Sequence, residues 1–378
     1  MCNIYQLKEE IKQYALSIGI DKIRFTTAAP FLDLKERLEE QQRLQYESGF
    51  EEQDIKKRVY PDRLLEGAKS IIAIALAYPT KMKQKPKTKR DNRRGMFCRS
   101  SWGTDYHIIL KDRLQKLECF IKEKVPEAKC LSMVDTGALS DRAVAERAGI
   151  GFSGKNTSII TPEFGSYVYL GEMITTIPFP ADKPLLDSCL ECTICIDSCP
   201  TGAIVSPYQL DSKRCIAFLT QTKDMMPEKY RKKLGNRLYG CDTCQQVCPK
   251  NKGIDFHRHE EMEPNPELVK PLLKPLLKMS NRTFKETFGH MSGSWRGKKP
   301  LQRNAIIALA HYKDKTALPL LKDVLMNDVR PMIRATAAWA LGEMGEKEIM
   351  KFLQETMQKE TEVVVQNEIK IALKKLST

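Results

Sequence analysis

The chain has 378 residues, 42% of them hydrophobic and 29% charged, a composition that excludes a disordered, collagen-like or coiled-coil protein. Its longest apolar run, residues 71–78, has eight residues, far below the ~20 that cross a bilayer, so we expect a cytoplasmic protein without a membrane-spanning segment. Lysine and arginine number 62 against 48 acidic residues, a formal charge of +14, which favours an anionic partner such as nucleic acid.

Residues 1–180 are predicted to form an α/β domain. Apolar runs typical of strands, Ser70–Tyr78, Ser158–Thr161 and Tyr167–Thr175, lie between amphipathic stretches typical of helices. After the first run comes Lys81–Arg99, with nine basic residues and one acid. We interpret this segment as an exposed loop, and the net charge favours contacts with phosphates over a merely solvated run of charges.

Residues 134–156 contain glycines that match a dinucleotide-binding fingerprint. The same segment matches a P-loop motif at every position except one. Both motifs require a strand before the glycines and a helix after them. Here the order is reversed, because Ser140 is placed to begin a helix that Gly149 ends. We therefore reject both nucleotide-binding interpretations.

Several single residues in this domain have a structural and a functional interpretation. Asp135 follows a short predicted strand, where an isolated aspartate is more often a turn or cap residue than a catalytic one. Arg142 and Lys155 fit a helix-cap ion pair and a phosphate clamp equally well. Cys98 is more often a packed small residue than a nucleophile, and His107 is interpreted as a hydrogen-bonded structural residue.

Eight of the twelve cysteines lie between residues 189 and 248. Thiols in a reducing cytoplasm do not form stable disulfides, so this density indicates metal or redox chemistry. The first group reads C-x2-C-x2-C-x3-C-P, and the second repeats its last three cysteines and the proline. Where the second group should begin stands Leu238, which cannot bind a metal, so Cys215 is predicted to replace it.

This spacing predicts two [4Fe–4S] clusters rather than two structural zinc sites. Zinc sites use pairs of C-x2-C separated by a dozen or more residues, whereas the fourth cysteine of each run in a two-cluster ferredoxin binds the other cluster. The predicted ligands are Cys189, Cys192, Cys195 and Cys248 for cluster A, and Cys199, Cys215, Cys241 and Cys244 for cluster B.

The rest of the chain is predicted to be a linker and a helical repeat. The cysteine-rich residues 181–255 form a ferredoxin-like domain, and the proline-rich residues 256–298 follow as a linker. In residues 299–378, Pro300 and Pro331 open two similar helices rich in alanine and leucine. Repeats of ~30 residues built from two helices stack into a solenoid, which provides a binding surface.

These motifs together resemble the epoxyqueuosine reductases, which catalyse the last step of queuosine synthesis in tRNA. The resemblance covers nearly the whole chain. It rests on residues 134–156, Asp105-Tyr-His107, Gly240–Pro249, the ferredoxin arrangement and the short HEAT-like repeats.

The resemblance implies that residues 1–180 bind cobalamin in its base-off form and that the two clusters supply its electrons. The sequence lacks the D-x-H-x-x-G signature of proteins that bind cobalt through histidine, which agrees with this expectation. The implied reaction is the two-electron reduction of the epoxide of epoxyqueuosine to queuosine at the wobble position of tRNA, with Asp135 as proton donor after desolvation. The residues implied to line the corrin pocket are Arg58, Cys98, Asp135, Ser140, Arg142, Lys155 and Asn156.

The implied partners are the anticodon stem-loop of a tRNA carrying epoxyqueuosine and an external electron donor such as a flavodoxin or ferredoxin. We expect the protein to be a monomer, with Lys81–Arg94 and Trp295–Arg303 contacting phosphates. Two alternatives stay open: a cobalamin and iron–sulfur reductase of a small molecule, like the reductive dehalogenases, and a metal-stabilised RNA-binding protein without catalysis.

Overall fold

The computed structural model describes residues 3–377. The strands are β1 (Lys22–Thr27), β2 (Ser70–Ala77), β3 (Met96–Phe97), β4 (Cys130–Met133), β5 (Phe152–Ser153), β6 (Ile159–Ile160), β7 (Val168–Thr175), β8 (Ile204–Ser206), β9 (Gln209–Leu210) and β10 (Arg237–Tyr239). The helices are α1 (Ile4–Ser17), α2 (Leu32–Arg43), α3 (Ile55–Val59), α4 (Tyr106–Lys124), α5 (Asp141–Ala148), α6 (Ile194–Asp197), α7 (Ile216–Leu219), α8 (Glu228–Leu234), α9 (Thr243–Gln246), α10 (Pro266–Val269), α11 (Leu273–Lys278), α12 (Asn281–Phe288), α13 (Lys298–His311), α14 (Leu318–Asn327), α15 (Pro331–Met344), α16 (Ile349–Lys359) and α17 (Val363–Ser377).

Contacts within the chain define two compact units. The first comprises residues up to 81, 104–215 and 242–263, and the second comprises residues 82–103, 216–241 and those from 264 onward. The boundaries predicted at residues 180, 255 and 298 do not coincide with these units. Over residues 3–377, every helix is too short or too polar to cross a membrane.

The first unit is built on a four-stranded antiparallel sheet in the order β1-β2-β7-β4. Every residue of β2 is buried, because helices cover both faces of the sheet. Ile72 and Ile74 pack with α1 and α4 on one face, while Ile71 and Ala73 pack with α2, α3 and α5 on the other. The alternation of side chains along a strand thus produces an α/β/α arrangement.

The local predictions for this unit agree with the structure. The three predicted strands correspond to β2, β6 and β7 within one or two residues. Ser140 occupies the position before α5, and the helix ends at Gly149 in the left-handed conformation, with φ +79°. The helix precedes the glycines and β5 lies between Gly151 and Gly154, so the order of strand, glycines and helix that both nucleotide-binding motifs require is not the one found here.

In the first unit, two side-chain amides hold residues 242–251, which include Cys244 and Cys248, against the segment before β7. Gln245 Nε2 donates to the Ser166 carbonyl at 2.9 Å, and Asn251 Oδ1 accepts the Ser166 N–H at 2.8 Å. Gly165 lies so close that a Cβ atom there would be 2.1 Å from Asn251 Oδ1. The short helices α6 and α9, one in each cysteine group, pack against each other.

The segment predicted as a linker, residues 256–298, belongs to the first unit up to residue 263 and to the second unit from residue 264 onward. It contains α10, α11 and α12, whose Leu273 and Phe288 are buried in the same core as the carboxyl-terminal helices. Proline suggested an exposed linker, but Pro266 is the first residue of α10, where the ring costs no hydrogen bond and begins a helix. The prediction of a linker is therefore wrong for most of this segment.

The carboxyl-terminal helices α13 to α17 pack as a small solenoid around the core of the second unit. Consecutive and alternate helices contact one another, α15 packing with α13, α14 and α17. Gly342 allows α15 and α17 to approach closely, because a Cβ atom there would lie 2.7 Å from the Ala372 Cβ atom. The predicted helical repeat is present.

Arg303 corrects one sequence-based expectation. The basic segment that contains it is predicted to contact phosphates, but Arg303 is only 2% exposed. Its guanidinium donates to the carbonyls of Thr222 and Asp224, at 2.8 and 2.6 Å, and burial lowers its pKa to about 10. Arg303 therefore fastens α13 to the segment after α7.

Candidate functional site

A tight loop after β4 carries Asp135 at the edge of the sheet. Asp135 has φ +51°, a left-handed conformation that aspartate adopts more readily than most residues. Its backbone N–H donates to Asp141 Oδ2 at 2.8 Å, so the first residue of α5 holds the loop. Gly137 packs on Met133, and a Cβ atom there would lie 2.6 Å from the Met133 Cβ atom. The loop conformation thus depends on two contacts: the hydrogen bond from Asp135 to Asp141 and the close packing of Gly137 on Met133.

The carboxylate of Asp135 contacts two side chains from the start of α4. Tyr106 Oη donates to Asp135 Oδ2 at 2.6 Å, and His107 Nε2 lies 3.5 Å from the same oxygen. His107 Nδ1 is 2.8 Å from Asp105 Oδ1, so the imidazole lies between two carboxylates. The Tyr106 ring stacks on Tyr169 of β7 with 4.6 Å between centroids, which fixes its orientation.

The charges of this group favour a proton on His107. Its hydrogen bond with Asp105, followed by its contact with the Asp135 carboxylate, raises the pKa of His107 to about 9. The contact with the His107 imidazole, followed by the hydrogen bond from Tyr106, holds the pKa of Asp135 below its ordinary value. At neutral pH the site therefore contains an imidazolium beside an ionised carboxylate, whereas the sequence predicts a desolvated, protonated Asp135.

Sequence reasoning missed Tyr106 and His107 as site residues. The signal was present in Asp105-Tyr-His107, because an aspartate that caps a helix can also contact a histidine two residues later. The Asp105 carboxylate does both, accepting the His107 N–H at 3.0 Å and contacting its ring. The contact with Asp135 depends on strand order, which the local sequence does not encode.

Two arginines of the first unit form an electropositive patch. Burial, followed by the charge of Arg58, lowers the pKa of Arg142, and burial is also the main cause of the lowered pKa of Arg58. Arg142 nevertheless stays accessible to solvent and donates to the Thr157 carbonyl at 2.5 Å. Two nearby guanidinium groups at an accessible but enclosed position suit an anionic or strongly polar ligand.

The segment after α5 adds an unsatisfied buried donor. Asn156 is 5% exposed, its Oδ1 accepts the Ser158 N–H at 3.2 Å, and its Nδ2 has no hydrogen-bond partner within residues 3–377. Lys155 Nζ donates to the Leu190 carbonyl, and the Ser140 side chain makes no capping hydrogen bond. These groups fit a ligand that carries amide or phosphate oxygens, as cobalamin does.

Cys98 differs from the other residues predicted for the corrin pocket, because it belongs to the second unit. It is 7% exposed, and its backbone N–H donates to the Tyr239 carbonyl at 2.9 Å. Gly240 packs on it so tightly that a Cβ atom would lie 2.2 Å from the Cys98 sulfur. Arg58, Asp135, Ser140, Arg142, Lys155 and Asn156 all belong to the first unit.

Three of the four thiols predicted for cluster A influence one another. Burial, with further contributions from Asp187 and Cys248, raises the pKa of Cys189. Burial and the charges of Cys248 and Cys189 raise the pKa of Cys195. Cys248 lies far along the chain from the other two, so the fold brings the last cysteine of the second group to the first group.

Cys199 is surrounded by backbone donors. The Ala203 N–H donates to its sulfur at 3.2 Å. Burial alone would raise the pKa of Cys199, but the N–H groups of Ile204, Thr201 and Ala203 hold it below its ordinary value. Such donors stabilise the thiolate form that a cluster requires.

The other predicted cluster B ligands divide between the units. Cys199, Cys215 and Cys244 belong to the first unit, and Cys241 is the last residue of a segment of the second. Among residues 3–377, no three histidine, cysteine or acidic side chains are grouped to hold a single metal ion.

Comparison with known proteins gives three family matches. Residues 58–136 match the model described as epoxyqueuosine reductase QueG, DUF1730. Residues 188–251 match a 4Fe-4S double cluster binding domain, and residues 297–374 match HEAT repeats. The last two matches confirm the fold class predicted for the central and carboxyl-terminal regions.

Individual proteins are similar over the whole chain. An epoxyqueuosine reductase of Bacillus anthracis is 64% identical over 98% of this chain and 98% of its own length. A crystal structure of epoxyqueuosine reductase with a tRNA-Tyr epoxyqueuosine-modified tRNA stem loop is 61% identical, with a TM-score of 0.98 and complete coverage of both chains. A Bacillus subtilis enzyme structure, described as having the catalytic loop of an aspartate swung out of the active site, is 60% identical with a TM-score of 0.97 and covers 99% of this chain and 100% of its own.

Proposed function

Because the chain belongs to the epoxyqueuosine reductase family, we propose that its Asp135–His107 pair delivers a proton to the epoxide oxygen of epoxyqueuosine at the wobble position of tRNA. Enzymes of this family are oxidoreductases that depend on cobalamin. The observation that carries the proposal is the contact of Tyr106 and His107 with one carboxylate on a loop in the left-handed conformation.

The reaction sets the requirements of the site. Conversion of the epoxide to an alkene breaks two C–O bonds, consumes two electrons and two protons, and releases the oxygen as water. One-electron clusters cannot attack carbon, and bound cobalamin would supply a reduced cobalt that can. The chain itself must deliver electrons, hold the base and protonate the departing oxygen.

The first of the two protons begins on His107 in this proposal, and solvent supplies the second. The imidazolium, with a pKa of about 9, is protonated at neutral pH, and its Nε2 faces Asp135 Oδ2. Substrate that covers Asp135 removes water from the carboxylate and raises its pKa, so the proton moves from His107 to Asp135 and then to the epoxide oxygen. Asp105 supports the transfer because it orients the imidazole through Nδ1.

The polar residues around Asn156 would hold the cofactor. Arg58 and Arg142 offer positive charge, and Ser140, Lys155 and Asn156 offer donors, the Nδ2 of Asn156 having no hydrogen-bond partner in the described part of the chain. Cobalamin in its base-off form presents amide side chains and a phosphate that match these donors. Cys98 stays a proposed pocket residue on the resemblance alone.

The cysteines would bind the two clusters in the exchanged arrangement. The mutual influence of Cys189, Cys195 and Cys248 supports cluster A, with Cys192 as its fourth ligand. The backbone donors around Cys199 support its role in cluster B with Cys215, Cys241 and Cys244. Electrons would come from an external donor such as a flavodoxin or ferredoxin to a monomeric, cytoplasmic enzyme.

An exposed basic surface in the second unit is the proposed phosphate-binding region for the tRNA. Arg93 lies over the Tyr312 ring at 5.0 Å and Arg94 pairs with Glu267 at 2.8 Å, so these two anchor the predicted contact loop. Its tip, residues 85–90, stays mostly exposed. Burial, followed by the charges of Lys85 and Arg99, lowers the pKa of Lys270, which indicates a dense group of cations.

Neutralising the tip of this loop is expected to weaken tRNA binding. The triple variant Lys85→Gln, Lys87→Gln, Lys89→Gln should raise the Kd for the tRNA ~10-fold near 0.15 M salt and reduce the salt dependence of binding, because fewer counterions are displaced. The matched control changes three other exposed lysines to glutamine. They are Lys347 in the loop before α16, Lys351 in α16 and Lys370 in α17. Equal Kd values and salt slopes for the two triple variants would contradict the assignment.

The pH dependence of turnover tests the role of His107. Since the pKa of His107 is raised to about 9, the proton is present below that pH and turnover should fall as pH rises through about 9. Asp105 is the main cause of the shift, so Asp105→Asn, which still caps α4, should move this fall towards ~6.5. Asp112→Asn on the same helix serves as the control and should leave the profile unchanged.

Anaerobic turnover of tRNA containing epoxyqueuosine tests the proposed function as a whole. Reconstituted protein with two clusters is assayed with and without added cobalamin under a chemical reductant, and queuosine is measured in the digested tRNA. We expect queuosine only when cobalamin is present. Turnover of the free nucleoside at an equal rate would instead indicate a small-molecule reductase.

A further inference from the structure

Glu172 is a carboxyl group in the apolar interior of the first unit. It lies on the inner strand β7, opposite Ala73 of β2 and Met133 of β4, and it is 1% exposed. Because side chains alternate along β7, Glu172 lies on the same face of the sheet as Leu170 and Ile174, which pack against α5. A buried carboxyl group at such a position requires a partner or a proton.

The partner of Glu172 is another acid. Among the described residues, no N–H or O–H group donates to either of its carboxyl oxygens. Helix α5 packs against β7, and its first residue, Asp141, is the charged group that interacts most strongly with Glu172. Two ionised carboxylates have no donor between them and repel each other, so this interaction is favourable only when one of them carries a proton.

Burial and the neighbouring charge determine which of the two acids keeps the proton. Burial, followed by the negative charge of Asp141, raises the pKa of Glu172 well above its ordinary value. Burial raises the pKa of Asp141 to about 6, so Asp141 is mostly ionised at neutral pH. The pair then holds one proton on Glu172 and one negative charge on Asp141.

Asp141 connects this pair to the loop after β4. Its Oδ2 accepts the N–H of Asp135 at 2.8 Å, and Asp135 has φ +51°. We propose that Glu172 is a positioning residue, whose protonated carboxyl donates a hydrogen bond to Asp141 and thereby orients the carboxylate that holds the Asp135 loop. This inference rests on the proposed role of Asp135.

The remaining charged groups near Glu172 do not replace this arrangement. The facing residues of β2 and β4 are uncharged, and α4 covers the opposite face of the sheet. The charged residues on α5 and on the loop after β4 are Asp141, Arg142, Glu146, Arg147 and Asp135. Arg142 donates to the Thr157 carbonyl, Arg147 donates to the Thr27 carbonyl, and Glu146 accepts the Ser153 N–H.

Infrared spectroscopy of the purified protein tests the protonation state directly. A protonated carboxylic acid has a carbonyl stretch separate from that of a carboxylate. We expect a band of the protonated form at about pH 7 that is absent from Glu172→Gln and present in the control Glu127→Gln, an exposed position. A band that persists in Glu172→Gln, or no such band in the unmodified protein, would overturn the proposal.

Thermal unfolding at two pH values gives an independent readout. An acid with a raised folded-state pKa destabilises the fold progressively as pH rises from its unfolded pKa to its folded pKa. Glutamine removes this effect and still donates to Asp141, so Glu172→Gln should raise the Tm by about 2 °C or more near pH 8 and by less near pH 5. An ionised structural Glu172 predicts the reverse, a lower Tm of the variant near pH 8.

Turnover then tests the positioning role. Glu172→Gln should keep kcat within ~3-fold of the unmodified enzyme, whereas Glu172→Met, similar in size but without a donor, should lower kcat ~10-fold with the KM for tRNA unchanged. Equal kcat values for the two variants would overturn the role in positioning. The infrared and thermal measurements need neither cobalamin nor tRNA, so failure of this inference is distinguishable from failure of the proposed function.

Discussion

Asp135→Asn is expected to lower turnover of epoxyqueuosine tRNA at least ~100-fold while both clusters and cobalamin stay bound, because an amide cannot carry the proton from His107 to the epoxide oxygen. Asparagine has the size of aspartate and adopts the left-handed conformation as readily. Its side-chain oxygen can still accept the hydrogen bond that Tyr106 donates to Asp135. The variant therefore removes proton transfer and leaves the loop in place.

The measurement separates proton transfer from binding. The kcat of Asp135→Asn should fall, and the Kd for tRNA should stay within ~2-fold, since the phosphate contacts are unchanged. Iron content and the cobalamin spectrum report the cofactors. Asp33→Asn, an exposed position on α2, is the control. Turnover of Asp135→Asn close to that of the control would remove Asp135 from the mechanism.

Local patterns in the sequence predicted most of the elements that carry the site. An apolar run of eight residues predicted the fully buried β2, and the position of Ser140 and Gly149 predicted α5 before the glycines. These features depend on neighbouring residues and on periodicity, which a single sequence displays directly. The match to a 4Fe-4S double cluster domain confirms the interpretation of the cysteine spacing as two clusters.

Long-range contacts account for what the sequence did not predict. His107 contacts Asp135 because α4 and the end of β4 meet at one place in the fold, and no local pattern reports that contact. Arg303 follows a run of basic residues, which predicts an exposed side chain, yet three carbonyls of a distant segment accept hydrogen bonds from it. The local sequence does not distinguish a charged residue that such contacts bury from one that faces solvent.

The predicted exchange of cysteine ligands between the two clusters has a large expected effect on the iron content of cysteine variants. The double variant Cys189→Ala, Cys248→Ala is expected to retain about four iron atoms per chain, because both cysteines are assigned to cluster A and cluster B stays complete. The double variant Cys241→Ala, Cys248→Ala is expected to retain almost none, because it removes one ligand from each cluster. Cys119→Ala, at an exposed thiol outside the cysteine groups, should keep the full content of about eight iron atoms.

Physical reasons favour the exchanged arrangement over one cluster for each cysteine group. Burial and the charge of Cys248 both raise the pKa of Cys195, so the two sulfurs lie close although they belong to different groups. The packing of α6 against α9 brings the two groups together. Iron analysis and electron paramagnetic resonance of the reduced, anaerobically reconstituted variants distinguish the two arrangements. If each cysteine group bound its own cluster, Cys189→Ala, Cys248→Ala would lose both clusters, and Cys241→Ala, Cys248→Ala would keep one.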